Sequence, residues 1–485
     1  MPTRSAARRS SAENRVTETA TPVASTPDAS AVLADLVAGT PLSDLPSSAL
    51  DAARLDVLDT LGCAIAGRTA LGVAEVTALL LDWGGKPVSA VWGSGQALPP
   101  PAAAFANAMS GHALDYDDMH PGITHTGVSV IPAAVAVAEA VGCRDMDQVL
   151  GAIILGTEVA DRIAVSVLDG PGVTGWLLTP LVGYFGAATA AARLLGLDAL
   201  RTRHALGFAY VQASGNGQST LDGALAKRMQ PGFAARGGVF AAELARRGLT
   251  GPLEAFEGSR GFFHVYHRDR YEPEVLRTGH MPRWMIEEAT YKPYPCCGWT
   301  HAALECALEF RSRGVRAEEI AAARIAVNAQ AYRSTGTPLP RRYRPATPVD
   351  AQFSIPYTFA TAFVTGAVTL EDFTTAALER KDVLTLGSKV SVEPDEHLEG
   401  RLARDLSPAR AFVELSDGRT LEARVIEPVG QSRPLGRDEL LTKFVDCCRY
   451  AGRSNGFTDE VAGLVLEGRD GDFPRLVAVL SEGAT

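Results

Sequence analysis

The densest group of chemically reactive side chains in this sequence lies between residues 111 and 127. Within fifteen positions it contains three carboxylates and three imidazoles, those of Asp115, Asp117, Asp118, His112, His120 and His125. Groups of these two types can take up and deliver protons during catalysis, and they can also bind a divalent metal. The alternative is that two of the carboxylates only cap a helix or face solvent. Because such clusters are frequent in clefts, the functional interpretation is favoured.

Three further segments each contain one residue that could take part in the same chemistry. Lys292 lies in a proline-rich stretch, KPYP, whose prolines hold an irregular loop before a helix. Lys227 lies in a basic loop that leads into a helix, and helix N-termini favour anions. Tyr357 could donate a proton from its hydroxyl group. The alternatives are an exposed linker for Lys292, a solvated turn for Lys227 and ordinary core packing for Tyr357.

Motifs for nucleotide cofactors and for common hydrolases are absent from the sequence. The stretches 93–96 (GSGQ) and 215–217 (GNG) match neither a P-loop nor a dinucleotide-binding fingerprint. The chain also contains neither the G-x-S-x-G of a nucleophile elbow nor the H-E-x-x-H of a zinc protease. Its seven cysteines form no C-x-x-C pair, so a structural zinc site is not expected. An odd number of cysteines without a regular framework predicts reduced thiols and a cytoplasmic protein.

Composition is typical of a soluble globular protein. Of the 485 residues 46% are hydrophobic and 21% are charged, which excludes a fully disordered chain. The net charge of −10 argues against a nucleic-acid-binding protein, although it leaves room for a small cationic pocket that holds an anionic substrate. The longest charge-free stretch, 170–192, contains prolines and glycines, so a buried helix explains it better than a membrane span.

The spacing of apolar residues predicts the elements that must position these side chains. Helical periodicity dominates up to about residue 290, and alternating runs then predict strands at 323–329, 388–393, 411–415 and 420–425. An Asp417-Gly418 pair between the last two runs predicts a hairpin. The predicted fold is mainly α, with a disordered tail at 1–30, a helical domain at 31–290, a smaller α+β domain at 291–428 and C-terminal helices at 429–485 that return to the helical domain.

Seven segments, in this order along the chain, resemble the MmgE/PrpD family. They are 58–62 (LDTLG), 106–108 (ANA), 112–118 (HALDYDD), 256–261 (FEGSRG), 292–296 (KPYPC), 353–357 (FSIPY) and 439–444 (ELLTKF). No single segment is decisive, but seven collinear ones are improbable by chance. The family includes 2-methylcitrate dehydratase, cis-aconitate decarboxylase and iminodisuccinate epimerase activities.

The resemblance implies a large helical domain built from both chain ends and a smaller α+β lid inserted between them. It also implies a homodimer, no required metal or organic cofactor, and an active site between the domains, where clefts commonly form. The catalytic positions of the family fall on Asp115, His125, Lys227, Lys292 and Tyr357. Because all five residue types are present, the resemblance argues against an inactive relative.

Four positions expected to bind substrate depart from the family pattern. Leu177 replaces a histidine, Gln230 replaces a second histidine, Gly298 stands where an arginine is frequent, and Met119 replaces a frequent threonine. Each change removes a cationic or hydrogen-bonding group. A tricarboxylate needs several buried cations, because an unpaired buried carboxylate is costly. The sequence therefore predicts a less anionic, bulkier or more apolar substrate than citrate-type acids, such as a specialised biosynthetic intermediate.

The reaction favoured by these residues is cofactor-independent dehydration of a β-hydroxy acid or β-hydroxycarbonyl compound. His125, assisted by Asp115, would move the proton next to the carbonyl group, Lys227 and Lys292 would neutralise the enolate, and Tyr357 would protonate the leaving hydroxyl. Decarboxylation and epimerisation pass through the same kind of intermediate and stay open. Two further alternatives are a non-catalytic binding relative and a metal-dependent hydrolase built on the histidine cluster.

Overall fold

The computed structural model describes residues 27–121, 123–169, 174–278, 282–398, 407–431 and 433–483. Most of the predicted tail, residues 1–26, lies outside the described residues. Helix α1 (Ala29–Gly39) begins one position before the predicted end of that tail. Its N-cap residue, Asp28, accepts a hydrogen bond from the backbone N–H of Ser30 at 2.8 Å, so a side-chain cap sets this helix start.

The larger part of the fold is a bundle of helices from the first half of the chain. After α1 these helices are α2 (Ser47–Gly67), α3 (Val73–Trp83), α4 (Pro100–His112), α5 (Gly127–Val141), α6 (Met146–Ser166), α7 (Leu178–Leu194), α8 (Ala199–Gln212), α9 (Gln218–Asp222), α10 (Ala226–Arg246), α11 (Phe262–His267) and α12 (Pro273–Arg277). The charge-free stretch thus contains most of the buried helix α7, as predicted. In the described part of the chain, no helix is long and apolar enough to cross a membrane.

Small residues let the central helices of this bundle approach closely. A Cβ atom on Gly156 of α6 would lie 2.8 Å from the carbonyl oxygen of Gly186 in α7. A Cβ atom on Gly238 of α10 would lie 2.5 Å from the Cβ of Ala187, also in α7. Larger side chains at these positions would push the helices apart, because protein interiors are already close-packed. The alanine and glycine content of the sequence is therefore used to hold α6, α7 and α10 together.

The smaller part of the fold is a four-stranded sheet covered by helices. Its strands β3 (Ile320–Val327), β4 (Val390–Pro394), β5 (Ala409–Leu415) and β6 (Thr420–Val425) are arranged in the order β4-β3-β5-β6. The predicted hairpin is present, since β5 and β6 pair antiparallel and Gly418 in the turn has φ +88°. The helices of this part are α13 (His301–Ser312), α14 (Ala329–Ala331), α15 (Leu339–Tyr343), α16 (Pro348–Gln352), α17 (Ile355–Thr365) and α18 (Lys381–Gly387).

The C-terminal helices complete the core of the helical part. They are α19 (Arg437–Tyr450), α20 (Asn455–Glu467) and α21 (Phe473–Leu480). Phe444 of α19 packs in the same apolar cluster as Leu58 of α2. A buried ion pair of 2.7 Å joins Lys443 of α19 to Asp59 of α2. Both chain ends therefore build one helical core, which agrees with the predicted fold class.

Two details differ from the helical patterns expected from the sequence. The helical part contains a short hairpin of β1 (Ser89–Val91) and β2 (Gln96–Leu98), whose strands are too short to produce a periodic signal. Helix α10 begins at Ala226, so Lys227 lies in its first turn and not in a loop before it. Pro231 follows inside the helix, although proline usually marks a helix start, and this explains why the sequence placed the start too late.

Candidate active site

A cavity of about 540 Å³ lies between the helical part and the sheet-containing part. Its helical wall includes the loop after α4, the start of α7 and the first turns of α10. Its other wall includes Lys292, the turn at Gly298 and the region around Phe353. A concave site between two parts of a fold is the usual place for a small-molecule ligand.

The floor of this cavity holds one carboxylate between two ammonium groups. Asp115 Oδ1 accepts a hydrogen bond from Lys227 Nζ, and Asp115 Oδ2 accepts one from Lys292 Nζ at 2.9 Å. Lys292 Nζ also donates to the backbone oxygen of Asp115 at 2.8 Å. Asp115 has φ +53°, a left-handed conformation that aspartate tolerates better than most residues. This turn directly after α4 brings the carboxylate to both lysines.

The charges of this triad stabilise one another. Burial alone would raise the pKa of the Asp115 carboxyl, but Lys227 and Lys292 hold it well below its usual range. Burial alone would lower the pKa of Lys292, but Asp115 raises it above its usual value. The triad therefore carries one net positive charge. Each ammonium has three N–H donors, and those not used by Asp115 remain for a substrate oxygen.

His125 lies beside this triad with its ring at the cavity wall. Its Nδ1 lies 2.5 Å from the backbone oxygen of Asp118, a contact that requires the proton to be on Nδ1. Burial and the nearby Lys292 ammonium lower the pKa of His125 to about 3, so the imidazole is neutral near pH 7. Its Nε2 is then an acceptor, as a general base must be. The backbone N–H of His125 donates to Thr179 Oγ1 at 3.1 Å, which fixes the loop.

A second imidazole, which the sequence analysis left out of the catalytic set, belongs to this site. His112, the last residue of α4, lines the cavity, and its Nδ1 lies 2.7 Å from Asp117 Oδ2. Its ring centroid is 5.0 Å from that of His125. Burial raises the pKa of Asp117, but the two imidazoles hold it below its usual range, so Asp117 is a carboxylate. The signal that could have identified this pair is the five-residue spacing from the end of a helix.

The ligand atoms of His112, Asp117 and His125 are close enough together to hold a metal ion, all lying within 4.8 Å of one another. The Nδ1 atoms of both imidazoles are already engaged in hydrogen bonds, His112 Nδ1 with Asp117 and His125 Nδ1 with the backbone oxygen of Asp118. A metal bound through the Nδ1 atoms would have to displace both contacts, whereas a metal bound through the Nε2 atoms would leave them in place. The geometry of these described residues therefore fits proton transfer and also fits a metal ion.

The remaining histidine of the sequence cluster points away from the cavity into the protein core. His120 Nδ1 lies 2.8 Å from Asp161 Oδ2 of α6, and its Nε2 lies 2.8 Å from Asp118 Oδ2. Asp56 Oδ2 of α2 is 3.4 Å from the same Nε2. Burial would lower the pKa of His120, but the three carboxylates around it raise it well above its usual value. His120 is therefore a buried cation that ties the loop between α4 and α5, which carries Asp115 and His125, to α2 and α6.

Tyr357 is the one predicted catalytic residue that the structure does not bring to the cavity. Its side chain is only 2% exposed and packs in the core beneath the four-stranded sheet. Its hydroxyl donates to the backbone oxygen of Asp372 at 2.7 Å. It is not among the described residues that line the cavity. The physical reason is that α17 turns this aromatic ring toward the apolar core, where its hydroxyl satisfies a backbone carbonyl.

The four residues predicted to bind substrate all line the cavity. Leu177, directly before α7, contributes apolar surface, and Gly298 opens the turn that follows the KPYP stretch. Met119 is held in place by backbone hydrogen bonds with Thr290. The Gln230 amide already bonds the wall itself, since its Oε1 accepts from the backbone N–H of Asn216 at 2.8 Å. Gln230 therefore shapes the cavity more than it offers a free hydrogen-bonding group.

The fold is mainly helical and has two parts, and the cavity between them has imidazoles and paired lysines at its floor. These are features of a proton-transfer enzyme. Family models identify the protein family. The MmgE/PrpD N-terminal domain matches residues 31–274, and the MmgE/PrpD C-terminal domain matches residues 294–462. The chain therefore belongs to the MmgE/PrpD family, as its seven motif segments predicted.

Several characterised proteins are similar to this chain over most of its length. A cis-aconitate decarboxylase-like protein of Aspergillus oryzae is 28% identical over 409 residues, covering 80% of this chain and 84% of that relative. The cis-aconitate decarboxylase of Aspergillus terreus is 28% identical over 411 residues, with 80% and 82% covered. The cis-aconitate decarboxylase of Homo sapiens is 29% identical over 399 residues, with 80% and 81% covered. Family and relatives together support a lyase-type enzyme.

Proposed function

We propose that this protein is a cofactor-independent hydro-lyase that dehydrates a β-hydroxy acid or β-hydroxycarbonyl compound through an enolate. The observation that carries the proposal is the neutral His125 imidazole beside two lysines that share one carboxylate. A neutral imidazole can accept the proton next to a carbonyl group, and the adjacent cations stabilise the negative charge that then develops.

The elimination follows from the positions of these groups. The substrate carboxylate or carbonyl binds the unused N–H donors of Lys227 and Lys292, and His125 Nε2 takes the α-proton. The electron pair of the broken C–H bond forms the enolate and then the double bond as the C–O bond to the β-hydroxyl breaks. The departing oxygen takes a proton and leaves as water. Proton exchange with solvent returns both imidazoles to their starting states.

We assign the proton for the leaving hydroxyl to His112 and not to Tyr357. His112 lines the cavity 5.0 Å from His125 between ring centroids, whereas the Tyr357 hydroxyl is bonded to a backbone oxygen in the core. His112 Nδ1 is hydrogen-bonded to the buried Asp117 carboxylate, so Nε2 is the ring nitrogen left to exchange a proton with the leaving hydroxyl. Asp115 orients the two lysines and takes no part in proton transfer itself.

The charge and lining of the cavity support a substrate with one carboxylate and an apolar body. The lysine–aspartate triad carries one net positive charge, which matches a single carboxylate. Among the described lining residues one further lysine or arginine is present, Arg333, and solvent screens the attraction between this exposed side chain and an anion. Leu177, Met119 and Trp299 add apolar surface. A tricarboxylate would leave charges unpaired here, whereas a bulkier monocarboxylate would not.

Decarboxylation is the second candidate, because the similar proteins named above are cis-aconitate decarboxylases or resemble them. Loss of carbon dioxide produces the same kind of carbanion, which the same lysines would stabilise. The apolar Leu177 in the cavity wall argues against a polycarboxylate substrate for such a reaction. Epimerisation would need only the first proton transfer and its reversal. A purely binding relative would have no use for a base and paired lysines in one cavity.

The test is proton NMR of the purified protein in buffered D2O with 2-methylcitrate and, separately, with 3-hydroxyhexanoate and 3-hydroxy-3-phenylpropanoate. We expect vinyl signals from the two monocarboxylates and little or no reaction of 2-methylcitrate. A clear preference for 2-methylcitrate would overturn the proposed substrate class. Carbon dioxide release without vinyl formation from a hydroxy acid would favour decarboxylation. Neither reaction nor α-proton exchange with any compound would contradict the catalytic proposal.

We also propose that the protein is a cytoplasmic homodimer. Exposed apolar side chains on two helices support the dimer, because Leu79 and Trp83 of α3 and Phe233 and Phe240 of α10 are each at least 46% exposed. The guanidinium of Arg236 in α10 lies 5.9 Å from the Trp83 ring centroid, so a side chain of α10 reaches the last residue of α3. Apolar surfaces of this kind commonly mark protein interfaces.

The cytoplasmic location is supported by the cysteines. All seven are free thiols, as suits a reducing compartment.

A further inference from the structure

One polar side chain of the cavity wall has no place in the proposed reaction. His267, the last residue of α11, lines the cavity and is only 2% exposed. Neither of its ring nitrogens has a hydrogen-bond partner among the described residues. Buried polar groups without a partner are rare, because they lose their bonds to water on folding. The two ring nitrogens of His267 can therefore hydrogen-bond a group that enters the cavity.

The surroundings of His267 limit the chemistry of that group. Burial lowers the pKa of His267 to about 4, so the ring is neutral and offers one donor and one acceptor. Asp169 also lines the cavity, and its Oδ2 lies 4.0 Å from His267 Nδ1. The other oxygen of Asp169 forms an ion pair with Arg270 Nε at 2.9 Å. A carboxylate so close disfavours a second anion, whereas a hydroxyl or carboxamide can both donate and accept.

Residues 176–179 of the cavity wall connect the His267 end of the cavity to the end that holds His125. Thr179 Oγ1 accepts a hydrogen bond from the backbone N–H of His125. Three residues earlier in the chain, the Trp176 ring packs on the ring of Tyr266, the residue before His267, with ring centroids 4.9 Å apart. Three residues of chain span at most roughly 11 Å. The side chains between these two points are those of Leu177 and Leu178, which are apolar.

We propose that His267, with Asp169, forms a second polar subsite that hydrogen-bonds an uncharged hydroxyl or carboxamide at the end of the substrate remote from the reacting carbons. The proposal rests on the function proposed above, which places the reacting end of the substrate at Lys227 and Lys292. It defines a substrate class with a carboxylate at the lysine pair, an apolar chain or ring along Leu177, and an uncharged polar group at His267. His267 is then a specificity-determining residue that takes no part in proton transfer.

The test measures binding alone, so it does not depend on turnover. The probes for titration calorimetry are hexanoate, octanoate and decanoate, each with its ω-hydroxy counterpart, together with octanedioate. We expect one ω-hydroxy acid to bind five- to tenfold more tightly than its parent acid, the ratio that one hydrogen bond between neutral groups supplies. Octanedioate, which places a second carboxylate beside Asp169, should bind no more tightly than octanoate.

Two variants of His267 and one control make the result specific. His267→Phe keeps an aromatic ring but removes both nitrogens, so it should abolish the preference for the hydroxy acid and change the affinity for the parent acid by less than twofold. His267→Gln keeps a donor and an acceptor and should retain part of the preference. His264→Phe is the control, because His264 lies on the same helix with its side chain 55% exposed and does not line the cavity.

Equal affinity for each hydroxy acid and its parent would overturn the subsite, since it would mean that a retained water satisfies the imidazole. A preference that survives His267→Phe would overturn it as well, and so would the absence of binding by every probe. Failure of the proposed reaction has a different signature, namely the binding preference without α-proton exchange in D2O.

Discussion

Two groups of aspartate and histidine, each centred on histidines of the same short stretch of sequence, have opposite surroundings in this protein. The cavity group consists of His112, Asp117 and His125, and it has one carboxylate for two imidazoles. The core group consists of His120 with Asp56, Asp118 and Asp161, and it has three carboxylates for one imidazole. The two groups therefore contain the same residue types in different proportions.

The difference in proportion decides the protonation state. The cavity imidazole of His125 has Lys292 nearby and a pKa lowered to about 3. The core imidazole of His120 has no lysine among the groups that shift its pKa most, and its three carboxylates raise that pKa far above the usual value. A neutral imidazole at a cavity can act as a base, whereas a permanently charged one in the core can only bind its carboxylates. Local charge balance thus separates His125, which we propose as the base, from His120, which only positions the loop.

The largest effect on activity is expected from a substitution in the cavity group. His125→Asn removes the base, and we expect kcat/KM to fall by about 10²- to 10⁴-fold, the usual contribution of a general base. The unfolding free energy should change by only about 1 kcal/mol at pH 7, because a neutral side chain is lost and one hydrogen bond with it. Steady-state kinetics and urea unfolding measure the two quantities. Unchanged turnover in a folded variant would remove His125 from the mechanism.

A substitution in the core group should mainly lower stability and should affect activity less. His120→Asn removes the cation among three buried carboxylates, so we expect the unfolding free energy to fall by about 3–5 kcal/mol. The variant protein that remains folded should lose activity only to the extent that the loop carrying His125 moves. Urea unfolding beside the His125→Asn variant is the measurement. A loss below about 1 kcal/mol would show that His120 is not the charge that holds this cluster together.

The pH dependence of these two variants sharpens the contrast further. His125 has a folded pKa below its unfolded value of about 6.5, so its stabilising contribution is present above pH 6.5 and is lost as the pH falls. His120 has a folded pKa above that value, so its contribution is complete below pH 6.5 and is lost as the pH rises. As the pH falls from 6.5 to 5, the unfolding free energy of the His125→Asn variant should rise by about 2 kcal/mol relative to that of the wild type.

The His120→Asn variant should behave in the reverse sense. Loss of the imidazole alone makes its destabilisation relative to wild type about 2 kcal/mol larger at pH 6 than at pH 8, and protonation of Asp118, whose pKa burial raises to about 6, offsets part of that difference. Urea unfolding of both variants and the wild type at pH 5, 6.5 and 8 provides the comparison. Parallel stability curves for the two variants would show that the two imidazoles do not differ in protonation.

The smallest effect is expected at Tyr357, which belongs neither to the cavity group nor to the core group. Tyr357→Phe removes the hydroxyl that donates to the Asp372 backbone oxygen, which should cost about 1–2 kcal/mol of stability because a buried carbonyl loses its donor. Turnover should stay within about threefold of wild type. A fall of 100-fold or more in a stably folded variant would instead restore the catalytic acid that the family resemblance assigned to this position.

Much of the fold could be predicted from sequence because it depends on local patterns. Apolar spacing identified the long helices, and alternation with an Asp-Gly turn identified the hairpin of β5 and β6. The start of α10 could not be predicted, since Pro231 is tolerated inside that helix. The short strands β1 and β2 were missed because three residues carry no periodic signal.

By itself, the sequence determined the family, the mainly helical fold class and the set of residue types available for proton transfer. The tertiary structure alone decided which of those residues share a cavity. It joined Lys227 and Lys292 to Asp115 across 112 and 177 positions. It turned His120 and Tyr357 into the core and His267 into the cavity wall. Composition and spacing cannot show this, because burial, charge neighbours and hydrogen-bond partners come from segments that meet only when the chain folds.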